Sequence, residues 1–101
     1  MMATKPNQSA TKLFTVLDVL WRNFTNGYTP GELAKATGLS ASTITVYVKT
    51  LEEAGYAERI PSTDRIRVSV SVARKAIQVM QSVDAEELRI TEIRSRLLTT
   101  T

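Results

Sequence analysis

Between Thr29 and Ser40 the sequence places two helix starts around one helix stop. Few folds accommodate that pattern. Thr29 is a good N-cap, Pro30 suits a first helical position, and Glu32 stands where a capping box needs it. Tyr28 and Leu33 are spaced for a hydrophobic staple. The helix begun there is short, residues 30–37, because Gly38 readily takes the left-handed conformation that ends a helix. Ser40 then caps a third helix, and Leu39 and Ile44 can staple it. Ile44, Tyr47, Val48 and Leu51 share one face of it until Gly55 stops it near residue 54. Two helices joined by Gly38-Leu39-Ser40 must cross sharply, with Leu39 between them.

The flanks fit around that pair. Leu13, Val16, Leu17, Leu20, Trp21 and Phe24 recur at helical spacing, with Phe14 beside them, which predicts a first helix over 11–24 ended by Asn26-Gly27. Downstream, Tyr56 to Ile60 reads as a strand and Pro61-Ser62-Thr63-Asp64 as a turn. Arg65 to Val70 alternates, with Ile66, Val68 and Val70 inward and Arg65 and Arg67 outward. From Ser71 the pattern is helical again. Asp84-Ala85-Glu86-Glu87 reads as a capping box, which predicts two helices meeting near residue 84 or one kinked there. Leu88, Ile90, Ile93 and Leu97 carry the apolar stripe on to Leu98. The expected organisation is a flexible arm over 1–10, a domain over 11–70, a helical extension over 71–98 and a frayed tail over 99–101.

Composition removes whole classes of chemistry. The 101 residues include no cysteine and no histidine. Disulfides, Cys/His zinc sites and Ser-His or Cys-His nucleophilic catalysis are therefore excluded. Gly27, Gly31, Gly38 and Gly55 read as turn and helix-end residues rather than a phosphate-cradling loop. Neither an enzyme nor a metal or other cofactor is expected. No apolar run approaches the roughly 20 residues of a membrane helix, and the start lacks the apolar core of a secretory signal. A cytoplasmic, nucleoid-associated protein without membrane contact is expected.

The net charge of +3 is unevenly spread. Residues 59–83 hold Arg59, Arg65, Arg67, Arg74 and Lys75 against Asp64 alone. A polyanion would favour such a patch, while a charged hairpin guarding its own edge would look the same. The element order predicts a mainly α winged helix: a three-helix helix-turn-helix core, a two-stranded β-hairpin wing and a C-terminal helical extension. A duplex major groove admits one helix, a second helix holds it there, and wing arginines neutralise phosphate.

GELAKATGLSASTITVYVKTLEEAGYAER, residues 31–59, resembles the N-terminal DNA-binding domain of IclR-type bacterial regulators, and residues 7–20 resemble that family's first helix. MarR-like repressors share the scheme. The resemblance implies a regulator of transcription that binds double-stranded DNA, with its reading helix at 41–54. Base or phosphate contacts then fall to Ser40, Ser42, Thr43, Thr45 and Lys49, and Val46 faces a thymine methyl. Ala41 and Val46 stand where the family commonly has Lys and Arg. Arg59, Arg65 and Arg67 are the expected wing contacts. The same hydroxyls would equally serve as caps and solvated surface. Trp21, Tyr28, Tyr47 and Tyr56 read as core. Family members carry an effector domain after the wing; residues 71–101 are too few for one, so no small-molecule effector is expected.

The C-terminal stripe of Val72, Ala76, Val79, Met80, Val83, Leu88, Ile93 and Leu97 is expected to form a homodimer, presenting two reading helices to a pseudo-palindromic site. It reads as short of a continuous heptad, which argues against a long parallel coiled coil. Two alternatives remain in the sequence: a winged helix used for protein contact, consistent with the sparse charge of residues 41–54, and a non-specific architectural DNA binder.

Overall fold

A computed structural model describes residues 3–99. Four helices and one hairpin follow in the order α1 (Gln8–Trp21), α2 (Pro30–Thr37), α3 (Ala41–Glu53), β1 (Ala57–Arg59), β2 (Ile66–Val68) and α4 (Val70–Leu98). This is the winged helix-turn-helix architecture read from the sequence.

The caps act as the sequence predicts. Thr29 Oγ1 accepts from the Glu32 N–H, and Glu32 Oε1 accepts from the Thr29 N–H at 2.8 Å. Gly38 ends α2 with φ of 75°. Ser40 caps α3 by accepting from the Thr43 N–H. The core closes around α1, α2, α3 and the hairpin: Val16, Leu20, Leu33, Ile44, Ile66 and Val68 are fully buried. Val19 joins them, although the periodicity did not single it out.

The hairpin pairs antiparallel, with Glu58 opposite Arg67. Tyr28 forms a further bridge to Ile66, donating its N–H to the Ile66 carbonyl and accepting the Ile66 N–H in return. The loop before α2 is thus hydrogen-bonded to the wing, which the sequence reading missed. Gly27 makes this approach possible: its φ is 67°, and a Cβ there would stand 2.5 Å from the Ile66 carbonyl oxygen.

Several expectations need correction. The first helix starts at Gln8, not residue 11, because Asn7 Oδ1 accepts from the Ala10 N–H. The expected arm over 1–10 is therefore shorter, and its Met1 and Met2 lie outside the described residues. That helix ends at Trp21, and Phe24 packs on the core from the following loop. Strand β2 stops at Val68 because Ser69 caps α4, accepting from the Val72 N–H and donating to the Gly55 carbonyl. Val70, expected to point inward from a strand, is instead the half-exposed first residue of α4. Trp21 and Tyr56 are exposed, whereas Tyr28 and Tyr47 pack against the core.

The break expected near residue 84 is absent: α4 runs unbroken from Val70 to Leu98. Asp84, Ala85, Glu86 and Glu87 include no glycine or proline, and an aspartate at mid-helix costs only a few tenths of a kcal/mol, ~0.7 at most. From Arg74 onward every described residue of α4 is exposed. A helix of this length extends about 44 Å, and the radius of gyration is 20.2 Å against about 13 Å for a compact domain of similar size. The extension projects from the domain rather than packing on it. Of the expected frayed tail, Thr100 and Thr101 lie outside the described residues.

Candidate nucleic-acid interface

The buried side of α3, carrying Ile44, Val48 and Leu51, fixes what the other side shows. At 100° per residue, Ser42, Val46, Lys49 and Glu53 align along the outward face, with Thr43, Thr45 and Thr50 flanking them. Val46 is 59% exposed. With Thr43, Ser42 and Tyr47 it lines a shallow, mostly apolar cleft of about 260 Å³.

The hydroxyls at the start of α3 are ordered by one another. Ser40 Oγ donates to Thr43 Oγ1 at 2.8 Å while accepting from the Thr43 N–H, and it lies 3.2 Å from Ser42 Oγ. A serine has one hydroxyl proton. With that of Ser40 committed to Thr43, Ser42 donates to Ser40 and keeps acceptor capacity, and Thr43 keeps its own proton to donate outward. Thr45 and Thr50 donate to the carbonyls of Ala41 and Val46, so each presents an acceptor. Ser40 thus serves as the cap, and the others retain hydrogen-bonding capacity on the outward side of α3. Lys49 has no ion-pair partner among the described residues, and with Pro30, Thr45, Glu52 and Arg59 it lines the cleft between α3 and the wing.

The wing differs from the expectation that Arg65 and Arg67 face outward. Arg65 is drawn in: Nε donates to the Asn26 carbonyl at 2.9 Å, and Nη2 donates to the Gly27 carbonyl at 3.1 Å and to Glu32 at 2.6 Å. Arg67 forms an ion pair with Glu58 at 2.9 Å, and its guanidinium stacks on Phe24 at 4.8 Å from the ring centroid. Arg59 lies 3.6 Å from both Glu52 and Asp64 and is the most exposed of the three. The physical reason is proximity. Each arginine has a carboxylate across the hairpin or on the adjoining helix, and a guanidinium saturates nearby carbonyls when they converge. The basic segment read in the sequence is thus largely neutralised by acids from elsewhere in the chain.

The carboxylates respond to these partners. Glu32 is held below its ordinary value chiefly by the Thr29 N–H; loss of water around the carboxylate opposes this, and Arg65 and the Thr29 hydroxyl add to the lowering. For Glu58, burial acts to raise the value, but the Val70 N–H and Arg67 together outweigh it and lower it. Glu32, Glu58, Phe24 and the Asn26-Gly27 carbonyls are the site features the sequence reading missed. The Glu58–Arg67 pair was available from hairpin register; the Arg65 clamp was not, since it joins residues distant in the chain.

Of the residues expected to dimerise, Val72 is buried against its own domain, so it anchors α4 instead. Ala76, Val79, Met80, Val83, Leu88, Ile93 and Leu97 are exposed. In the unbroken helix, Val72, Ala76, Val79, Val83, Ile90, Ile93 and Leu97 recur in steps of four and three, with Glu86 in the one missing place. The stripe therefore does hold a heptad spacing, with one charged interruption. Leu88 falls on the opposite side of the helix from it, together with Ile77.

No helix among the described residues is long and apolar enough to cross a membrane. No curated protein sequence matches the chain. Among solved structures it is similar to HmgR of Pseudomonas aeruginosa, at 21% identity and a TM-score of 0.65 over 90% of this chain. It spans only 38% of that protein. It is also similar to a mutant of MepR from a multidrug-resistant S. aureus clinical isolate, at 17% identity and a TM-score of 0.54, covering 93% of this chain and 87% of that one. Both likenesses concern the fold. Residues 14–67, more than half of the chain, from within α1 into the second strand of the wing, match the family model described as MarR family. The chain belongs to the MarR family, whose members are winged-helix, DNA-binding regulators of transcription and not enzymes.

Proposed function

We propose that this protein is a sequence-specific regulator of transcription that binds double-stranded DNA as a homodimer in the cytoplasm, on the nucleoid. The observation that carries this reading is the outward face of α3, where Ser42, Thr45, Val46 and Lys49 are exposed together, with the half-buried Thr43 beside them, on a MarR-family core. That face enters the major groove, with Lys49 on phosphate. The likeness of residues 31–59 to IclR-type domains supports the same docking. Arg59 is the wing cation best placed to exchange its carboxylate partners for a phosphate, since exposed ion pairs are weak. Arg65 and Arg67 hold the wing in place. The stripe on α4 joins the two copies, in line with the dimers that MarR-family regulators form.

The test is fluorescence anisotropy against a random-sequence duplex pool at low and physiological salt, with the bound fraction sequenced. Salt-sensitive binding that enriches a two-fold-symmetric motif is the expected result. Salt-sensitive binding without enrichment would make the protein an architectural binder. No binding at low salt would favour the protein-contact reading, whose specific support is the internal pairing of all three wing arginines.

A further inference from the structure

The reading face lacks the side chains that usually recognise bases. Helix α3 contains no arginine, asparagine or glutamine, so it holds no planar side chain that could grip guanine or adenine through two bonds in a fixed geometry, and its one cation, Lys49, is a point charge. Its central feature is Val46, a β-branched apolar side chain exposed one turn past the helix start in a cleft shared with Ser42, Thr43 and Tyr47. An apolar residue held in water at the middle of such a face gains free energy only by meeting another apolar group. In the major groove that group is the C5-methyl of thymine.

The neighbouring hydroxyls fit the same base pair. Thr43 keeps a proton for an acceptor such as adenine N7 or thymine O4, and Ser42 keeps acceptor capacity for the adenine N6 amino group. Lys49, one turn further on, is a point charge that suits a phosphate. We propose that the cleft around Val46 is a methyl-reading site, and that each half-site is specified mainly by the C5-methyl of one thymine. The inference rests on the DNA-binding reading above and names the group that this face recognises.

The test uses the full chain and the best duplex recovered from the random pool, resynthesised with deoxyuridine in place of each thymidine in turn. Uracil keeps the hydrogen-bonding pattern and loses only the methyl. Replacement at one position per half-site is expected to weaken binding about fourfold, the value of one buried carbon, while other positions stay unchanged. Cytosine at that position in a C·G pair should bind less well than 5-methylcytosine in the same pair. Val46→Ala should erase the thymine–uracil difference; the site is exposed and alanine favours helix, so the fold is retained. A melting temperature equal to that of the parent protein checks this. Salt-sensitive DNA binding with equal affinity for thymine and uracil at every position would overturn the inference and leave the DNA-binding function intact. A thymine–uracil difference that persists in Val46→Ala would also overturn it. Absence of any DNA binding would overturn both.

Discussion

Gly27 and Gly38 show how one backbone sign can carry different costs. Both have positive φ, yet a Cβ on Gly38 meets nothing within 4 Å, whereas one on Gly27 would overlap the Ile66 carbonyl that Tyr28 bonds. Gly38→Ala should therefore cost only the left-handed conformation, about 1–2 kcal/mol. Gly27→Ala should cost that and also part the α2-side loop from the wing, so its midpoint in urea unfolding should fall clearly further. Equal midpoints would mean that the Tyr28 bridge contributes nothing. Glu58 supplies a pH-dependent counterpart. Its carboxyl is lowered from an ordinary value of 4.5. A group with a depressed folded value stabilises the fold above its unfolded value and loses that contribution as pH falls through the folded one. Glu58→Gln should thus be less stable than the parent at neutral pH, by about 1 kcal/mol for a half-buried pair that solvent still reaches. The difference should close as unfolding is followed below pH 4.5.

At the scale of elements, the wing is held from two sides. Arg65 ties β2 to the loop before α2 and to Glu32 in the α2 capping box, so one side chain links the hairpin to the helix packed against α3. Arg65→Ala should lower stability by about 1–3 kcal/mol, since it leaves the part-buried Gly27 carbonyl without this donor. In anisotropy titrations it should weaken binding to all sequences alike while leaving the salt slope nearly unchanged, because a positioning residue releases no counterions. A slope reduced by about one would instead make it a phosphate contact. The elements were legible because their signals are local: Thr29, Gly38 and Ser40 each cap through neighbours in the chain. The wing arginines were not, because whether Arg65 points outward depends on carbonyls brought beside it only by folding. Asp84 misled for a related reason. A capping box is a sequence possibility, and an uninterrupted run of helix formers leaves it unused.

For the whole molecule, the domain and its extension solve different problems. The core is closed within α1, α2, α3 and the wing, and α4 leaves it after Val72 with Val83, Ile90 and Ile93 each nearly half exposed on one stripe. An apolar stripe of that length on a lone helix is unfavourable in water and calls for a partner helix, which in the homodimer proposed above is a second copy related by symmetry. Glu86 sits in phase with the stripe, and Arg89 on the same helix pairs with it and lowers its carboxyl, so it enters any seam charged. A charged group at one seam position costs stability and sets register. The two kinds of position should therefore respond in opposite directions. Val83→Asp should shift the protein to monomer in sedimentation equilibrium, with the domain still folded, and should lose the cooperative binding to a two-fold site. Glu86→Leu should tighten the dimer, moving the monomer–dimer midpoint to lower protein concentration. Val83→Asp that stays dimeric would place the interface elsewhere on the molecule. Glu86→Leu that weakens the dimer would mean that the carboxylate has a partner across the seam, which Arg89 of its own helix does not replace.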